Sequence, residues 1–242
     1  MIYRIKNFKL SKAIVPNTFT ALNLFFGFVS IVLASQGKIN LAAQLIFVSA
    51  VFDLLDGMIA RFMKSTSAFG VELDSLADLV SFGAAPSYLA YKSYLYQFDI
   101  WGIILSAFPL IFGAFRLARF NIQIEDLSVK SDFKGLAIPI QALTIASFTG
   151  FYYQNGEIIQ PFDFWVIPLV IVLSFLMVTN IRYNRLPKPS ELETKMKIIA
   201  ILFIVAGLSI SICTNGEALF YIFLFIVLFG VIRQLFVSLF GK

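Results

Sequence analysis

Long apolar runs separated by short polar breaks dominate the chain. Runs such as "FWVIPLVIVLSFLMV" and "LFYIFLFIVLFGVI" approach the length of about 20 residues that crosses a bilayer. The breaks carry turn-forming sequence such as "SQGKIN" and "CTNGE". This pattern predicts an all-α, polytopic membrane helix bundle of about eight transmembrane helices, at 15–36, 40–63, 69–95, 100–121, 136–155, 162–181, 196–213 and 217–239.

The distribution of basic residues predicts the orientation of this bundle. With both termini in the cytoplasm, every Lys and Arg except Lys38 and Lys92 falls on the cytoplasmic side, as the positive-inside rule requires. A seven-helix count would scatter these residues over both faces. We therefore expect a multi-pass protein of the cytoplasmic membrane. Its basic residues 1–12 form an interfacial segment and residues 13–242 form a single membrane-embedded domain.

Composition supports a membrane protein and limits its chemistry. The chain of 242 residues is 59% hydrophobic and 14% charged, whereas a soluble domain is roughly a quarter charged. It has no histidine and a single cysteine, Cys213, so a metal would have to be held by oxygen ligands. The net charge of +5 suits loops that face anionic lipid, and no nucleic-acid partner is expected.

Acidic residues interrupt the apolar sequence between positions 51 and 83. On the second predicted helix, acids and small residues share one face: Asp53, Asp56, Gly57 and Ala60. On the third predicted helix, another single face carries Gly70, Asp74 and Asp78. Glu72 lies away from that face, so we interpret it as a solvated residue near the membrane surface.

Four aspartates in a membrane segment need compensation. A central Asp costs about 2.5–3.5 kcal/mol to insert, and four converging anions also repel one another. Two hard divalent cations, Mg²⁺ or Mn²⁺, would remove both problems, and such a pair suits phosphoryl displacement. The glycines clear space beside the acids, and Arg61 is placed to hold a ligand phosphate, although interfacial anchoring also explains an arginine there.

The stretch 53–78 matches every fixed position of the pattern DxxDGxxAR…GxxxDxxxD and resembles the CDP-alcohol phosphotransferase family. The runs "VPNTFTALNLFFGF", "FRLARFN" and "FKGLAIPIQA" resemble its serine-using branch. One departure is Ala137, where that branch usually has proline. The resemblance covers most of residues 13 to 142.

The resemblance implies transfer of the phosphatidyl group of CDP-diacylglycerol to the hydroxyl of L-serine, with CMP leaving. It implies that the metals are held by Asp53, Asp56, Asp74 and Asp78, and that Asp78 is also the general base. The CDP-binding residues would be Gly57, Ala60, Arg61 and Gly70. For the serine carboxylate the nearest cations are Arg116, Arg119 and Lys134, although all three also fit positive-inside anchoring.

Two alternative functions and two further questions stay open at this point. A sister enzyme would use glycerol phosphate or inositol phosphate, which need a basic pocket too. A cation or proton transporter also uses intramembrane acids, although its helices would be expected to form related halves. The polar face of the first helix, Thr20, Asn23 and Gly27, fits helix packing as well as contact with cytidine. The sequence also leaves a homodimer open.

Overall fold

The computed structural model describes residues 13–65, 67–125, 135–181 and 217–240. The predicted interfacial segment 1–12, the predicted seventh helix at 196–213 and Lys134 lie outside the described residues. The described part is mostly helical. Its α-helices are α1 (Ile14–Ser35), α2 (Ile39–Phe62), α3 (Ala68–Asp78), α4 (Ala85–Ser93), α5 (Asp99–Ser106), α6 (Phe108–Glu125), α7 (Ile138–Tyr152), α8 (Val166–Val178) and α9 (Glu217–Phe240).

Four helical stretches in the described part are long and apolar enough to cross a membrane. They are Ile14–Ser35, Ile39–Phe62, Leu95–Ile122 and Glu217–Gln234. They coincide with the first, second, fourth and eighth predicted segments. The prediction of a helical membrane protein is therefore confirmed in this coarse form.

The hairpin of α1 and α2 is the most extensive helix pair in the described bundle. Gly37 adopts a positive φ of 80°, and its amide donates to the carbonyl of Ala34 over 3.0 Å, which ends α1. Within the pair, the hydroxyl of Ser30 donates to the carbonyl of Ala42 over 2.7 Å. Small residues at the contact let the two backbones approach closely.

Helix α7 lies in the interior of the bundle, and most of its residues are buried. A helix that is apolar around its circumference is stable only inside a protein or a membrane. A glycine on the neighbouring helix α6 permits close packing. A Cβ added at Gly113 of α6 would lie 2.6 Å from Cδ1 of Ile138. Ile138, in the first turn of α7, therefore packs directly against α6.

Several irregular elements refine the predicted segments. The third segment is continuous, but α3 passes into α4 through a π-helical segment, Leu79–Ala84. The fourth segment divides into α5 and α6 around Ala107. A short antiparallel hairpin of β1 (Tyr153–Gln154) and β2 (Glu157–Ile158) follows α7, and 3-10 turns at Leu95–Phe98 and Phe162–Trp165 precede α5 and α8. The hydrophobic pattern predicted none of these features, because it marks where apolar runs begin and end and not the type of helix or turn that the backbone forms.

Candidate active site

The acidic residues of α2 and α3 meet at one place. One carboxylate oxygen from each of Asp53, Asp56 and Asp74 lies within 4.8 Å of the others. The carboxyl group of Asp78 lies close enough to those of Asp53 and Asp74 to interact with both electrostatically. The two predicted helix faces thus bring four acids into a single cluster. Glu72 is exposed, which agrees with its predicted position away from the face that carries Asp74 and Asp78.

The polar residues of α1 hold two of these carboxylates. The hydroxyl of Thr20 donates to Oδ2 of Asp56 over 2.6 Å. The side-chain amide of Asn23 donates from Nδ2 to Oδ1 of Asp78 over 3.3 Å. The sequence indicated a polar face on α1 but left its partners open between helix packing and cytidine. In the structure both residues contact the acid cluster itself.

The main chain at Asn23 is a junction of three helices. Its carbonyl oxygen accepts a hydrogen bond from Ser49 of α2 over 3.2 Å and one from Ser81 of the π-helical segment over 2.9 Å. A Cβ added at Gly27 would lie 2.6 Å from Cα of Ser81. Gly27 therefore lets the segment that follows Asp78 lie against α1. π-helical turns are common at functional sites, and this one fixes the end of α3 that carries Asp78.

A cavity of about 470 Å³ opens beside the cluster. Its walls come from α1, from the end of α2 and from the start of α3: Pro16, Asn17, Thr20, Asp56, Gly57, Ala60, Arg61, Ser65, Ser67, Gly70, Val71 and Asp74. All four residues predicted to bind CDP are among them. No atom lies within 4 Å of a Cβ added at Gly57, so the space beside this glycine belongs to the cavity.

Local hydrogen bonds shape the mouth of the cavity. The hydroxyl of Ser67 accepts from the amide of Gly70 over 3.0 Å and caps α3. Nε of Arg61 donates to the carbonyl of Gly57 one turn earlier, over 2.9 Å, and the side chain is exposed. The hydroxyl of Ser65 is buried and has no hydrogen-bond partner. Sequence reasoning did not single out Ser65, because a serine in a polar turn carries no signal of its own.

The atoms that the cluster offers as metal ligands fit a hard divalent cation. They are all carboxylate oxygens, which Mg²⁺ and Mn²⁺ accept readily. Oδ1 of Asp74 is buried without a hydrogen-bond partner, an arrangement that a positive ion would satisfy. The three carboxylates within 4.8 Å of one another repel unless a cation or a proton lies between them.

The arginines of α6 have different surroundings. Arg119 donates from Nη1 to the carbonyl of Val178 over 3.1 Å and from Nη2 to that of Thr179 over 3.5 Å. It thereby satisfies carbonyls at the C-terminal end of α8, where cations are favourable. Arg116 interacts electrostatically with Asp78, and its Nε is buried without a hydrogen-bond partner. Arg116 thus has a buried hydrogen-bond donor to spare near Asp78.

A pair of polar side chains joins α3 to α6 next to Asp74. The amide of Asn121 donates from Nδ2 to the hydroxyl of Ser75 over 3.1 Å, and that hydroxyl lies 3.3 Å from Oδ1 of Asn121. Neither residue was predicted to matter individually, although Asn121 ends the run "FRLARFN". The contact fixes α3, which carries Asp74 and Asp78, relative to α6, which carries Arg116.

Comparison with known proteins assigns the chain to a family. The family model of CDP-alcohol phosphatidyltransferases matches residues 13–175, which contain the whole acid cluster and Arg116. The chain belongs to this family. The prediction drawn from the motif at 53–78 is therefore confirmed at the level of the family.

Individual relatives match over much of the chain. A CDP-diacylglycerol–serine O-phosphatidyltransferase of Helicobacter pylori is 36% identical over 225 residues, covering 91% of each chain. An archaetidylserine synthase of Methanothermobacter thermautotrophicus is 35% identical over 175 residues, covering 71% of this chain and 70% of its own. The phosphatidylinositol phosphate synthase of Mycobacterium tuberculosis, crystallised with manganese and citrate, superposes with a TM-score of 0.51. Its identity of 20%, over 69% of this chain and 78% of its own, shows a shared fold.

Proposed function

We propose that the protein transfers the phosphatidyl group of CDP-diacylglycerol to the hydroxyl of L-serine, giving phosphatidylserine and CMP. The observation that carries this proposal is the convergence of Asp53, Asp56, Asp74 and Asp78 beside a cavity lined by the rest of the family motif. Relatives that use serine and match most of the chain support serine as the acceptor.

The cavity is the site proposed for the CDP group. Gly57 leaves room for a bulky ligand beside the carboxylates, and Ala60 continues the same small-residue face. The exposed guanidinium of Arg61 and the unpartnered hydroxyl of Ser65 offer donors to phosphate oxygens. Gly70 lies where the capped start of α3 meets Asn17, so a side chain there would narrow the same cavity. The acyl chains stay in lipid.

The acid cluster is the proposed metal site. Two divalent cations, Mg²⁺ or Mn²⁺, held by the four aspartates would stabilise the negative charge that develops on the leaving CMP phosphate. Thr20 and Asn23 orient the carboxylates of Asp56 and Asp78 for this role. Such supporting hydrogen bonds commonly change metal affinity or activity by about 10- to 100-fold.

Asp78 is the proposed general base. Its carboxylate takes the proton from the serine hydroxyl while the hydroxyl oxygen forms a bond to the phosphorus next to diacylglycerol. The bond from that phosphorus to the bridging oxygen of CMP breaks, and CMP leaves with the bonding electrons. Asp78 is buried, and Asn23 holds one of its oxygens, so the other oxygen has a defined direction.

Arg116 is the proposed partner of the serine carboxylate. Its unpartnered Nε lies near Asp78, so a carboxylate bound there would carry its hydroxyl close to the base. Arg119 contributes by anchoring the end of α8 and by adding positive charge. Lys134 keeps its predicted role as a further cation for the acceptor.

The proposed setting is the cytoplasmic membrane, with eight transmembrane helices, both termini in the cytoplasm and the site on the cytoplasmic side. The charge distribution supports this orientation. It places the ends of α2 and α6 and the start of α3 on the side where serine enters and CMP leaves. Residues 1–12 form the interfacial segment in this arrangement.

The test is an acceptor panel. Purified protein is incubated with CDP-diacylglycerol and Mn²⁺ or Mg²⁺, and L-serine, glycerol phosphate and inositol phosphate are offered separately while CMP release is measured. We expect CMP release with serine only, and none after chelation of the divalent ion. Release that depends on either phosphorylated acceptor would instead assign the protein to a sister activity.

A further inference from the structure

Two residues that interact with Asp78, Asn23 and Arg116, each carry a buried polar atom without a hydrogen-bond partner, and the two atoms are of opposite character. Nε of Arg116 is a hydrogen-bond donor without a partner, and Oδ1 of Asn23 is a hydrogen-bond acceptor without a partner. Asn23 is fully buried. Buried polar groups are nearly always hydrogen-bonded, because leaving one unpaired is costly. A ligand with an acceptor on one side and a donor on the other would satisfy both atoms.

We propose that Asn23 is a specificity residue, whose Oδ1 accepts a hydrogen bond from the α-ammonium group of the acceptor amino acid. The inference rests on the proposed function, which makes serine the acceptor. Serine carries a hydroxyl, a carboxylate and an ammonium group around two carbon atoms. Asp78 takes the hydroxyl, Arg116 takes the carboxylate and Asn23 takes the ammonium.

The side chain of Asn23 is held in the orientation that this role needs. Nδ2 donates to Oδ1 of Asp78, so a flipped amide would set its oxygen against a carboxylate. The main chain is held by the hydroxyls of Ser49 and Ser81, which bond to the carbonyl of the same residue. Oδ1 is therefore a fixed acceptor next to the base. A charged N–H group binds such an acceptor more strongly than a neutral hydroxyl does.

The contact also separates serine from the acceptors of sister enzymes. Glycerol phosphate and inositol phosphate bring an anion and hydroxyl groups but no ammonium. A basic residue such as Arg116 would attract all three acceptors, so it cannot select among them. Oδ1 of Asn23 adds the missing selection, because it binds a charged ammonium group more strongly than the neutral hydroxyls that the phosphorylated acceptors could offer it.

A simpler role for Asn23 is to position Asp78 alone, and acceptor analogues distinguish the two roles. The compound 3-hydroxypropanoate keeps the hydroxyl and carboxylate of serine but lacks the ammonium. Ethanolamine keeps the hydroxyl and ammonium but lacks the carboxylate. Both are measured as inhibitors of serine transfer, so that their binding is known whether or not they react. CDP-diacylglycerol KM reports whether each variant is folded.

The experiment compares Asn23→Leu, Asn23→Ser and Arg116→Gln with the wild type. For Asn23→Leu we expect the serine KM to rise about 10- to 100-fold, as for loss of a hydrogen bond to a charged group, while the inhibition constant of 3-hydroxypropanoate changes by less than about threefold. Asn23→Ser, which is shorter but polar, should show the same selective loss and decides the matter if the leucine variant does not fold. For Arg116→Gln we expect serine and 3-hydroxypropanoate to weaken together while ethanolamine is unaffected.

The outcomes separate this inference from the proposed function. Equal weakening of serine and 3-hydroxypropanoate in the Asn23 variants, or an unchanged serine KM, would overturn the role of Asn23. If Arg116→Gln left both carboxylate-bearing compounds unaffected, the proposed acceptor site itself would be wrong. Selective loss of serine in both Asn23 variants would support the contact with the ammonium group.

Discussion

The hydroxyl of Thr20 on α1 donates a hydrogen bond of 2.6 Å to Oδ2 of Asp56 on α2. The contact is buried, and it joins a helix without acids to the acid cluster. A hydrogen bond to an ionised carboxylate is shorter and stronger than one between neutral groups. The first helix is therefore part of the site, because it fixes the direction of a proposed metal ligand.

Replacing Thr20 by valine should weaken metal use while sparing the fold. Valine keeps the shape of threonine and removes the donor to Asp56. We expect the Mn²⁺ concentration for half-maximal activity to rise about 10- to 100-fold, the usual effect of removing a hydrogen bond to a metal ligand. Thr18→Val is the matched control, since the exposed hydroxyl of Thr18 bonds to Ile14 of its own helix. Equal behaviour of the two variants would contradict the role of Thr20.

Removing one charge from the cluster should stop turnover. Asp53→Asn and Asp74→Asn each replace a charged oxygen among carboxylates that lie within 4.8 Å of one another. We expect no measurable phosphatidyl transfer and weaker Mn²⁺ binding. Incorporation of radiolabelled serine measures the first effect, and a metal titration measures the second. Glu72→Gln is the control: it removes a nearby but exposed acid from α3, the helix of Asp74, and should keep wild-type rates. Wild-type activity in either aspartate variant would argue against the metal site.

Filling the space at Gly57 should interfere with the donor substrate. A Cβ at this position has no neighbour within 4 Å, so a leucine side chain would project into the cavity without disturbing the helix packing. We expect Gly57→Leu to raise the KM for CDP-diacylglycerol at least about 10-fold, in line with the loss of over 1.4 kcal/mol of binding. Met58→Leu changes an exposed neighbour on α2 and is the control. An unchanged KM in Gly57→Leu would show that the donor binds elsewhere.

A methyl group at Gly27 should disturb the support of Asp78. The added Cβ would lie 2.6 Å from Cα of Ser81, which is backbone and cannot rotate away. We expect Gly27→Ala to cost about 1–3 kcal/mol in the free energy of unfolding, as overpacking usually does, and to lower activity. Thermal unfolding in detergent measures the first effect. Gly57→Ala, where the space is open, should leave the unfolding temperature unchanged; an equal loss in both variants would refute the close contact.

Much of this arrangement could be predicted from the sequence, because periodicity and spacing carry it. The runs of apolar residues placed α1, α2 and α9 to within a few residues, and the helical repeat placed Asp53 with Asp56 and Asp74 with Asp78. The partners across helices could not be predicted. The helical repeat shows on which face of α1 a polar residue such as Asn23 lies. Its contact with Asp78, however, depends on how two helices are rotated against each other.

The irregular backbone was also beyond the sequence pattern. The π-helical segment after Asp78 depends on Gly27 and Ser81, which lie far apart in the chain and meet only after α1 packs against the third helical segment. The two arginines of α6 looked equivalent from their spacing. Their difference comes from the end of α8, whose carbonyls bind Arg119 and not Arg116.

The central claim is that this acid cluster performs phosphatidyl transfer with Asp78 as the base. The most direct test measures the turnover of Asp78→Asn with CDP-diacylglycerol and L-serine over a titration of Mn²⁺. Asparagine keeps the shape and one oxygen of the side chain but cannot accept the hydroxyl proton. We expect kcat to fall by about 10²–10⁴-fold, with a much smaller change in the KM for CDP-diacylglycerol and no recovery at high Mn²⁺. Wild-type turnover, or substantial recovery by added Mn²⁺, would contradict Asp78 as the base.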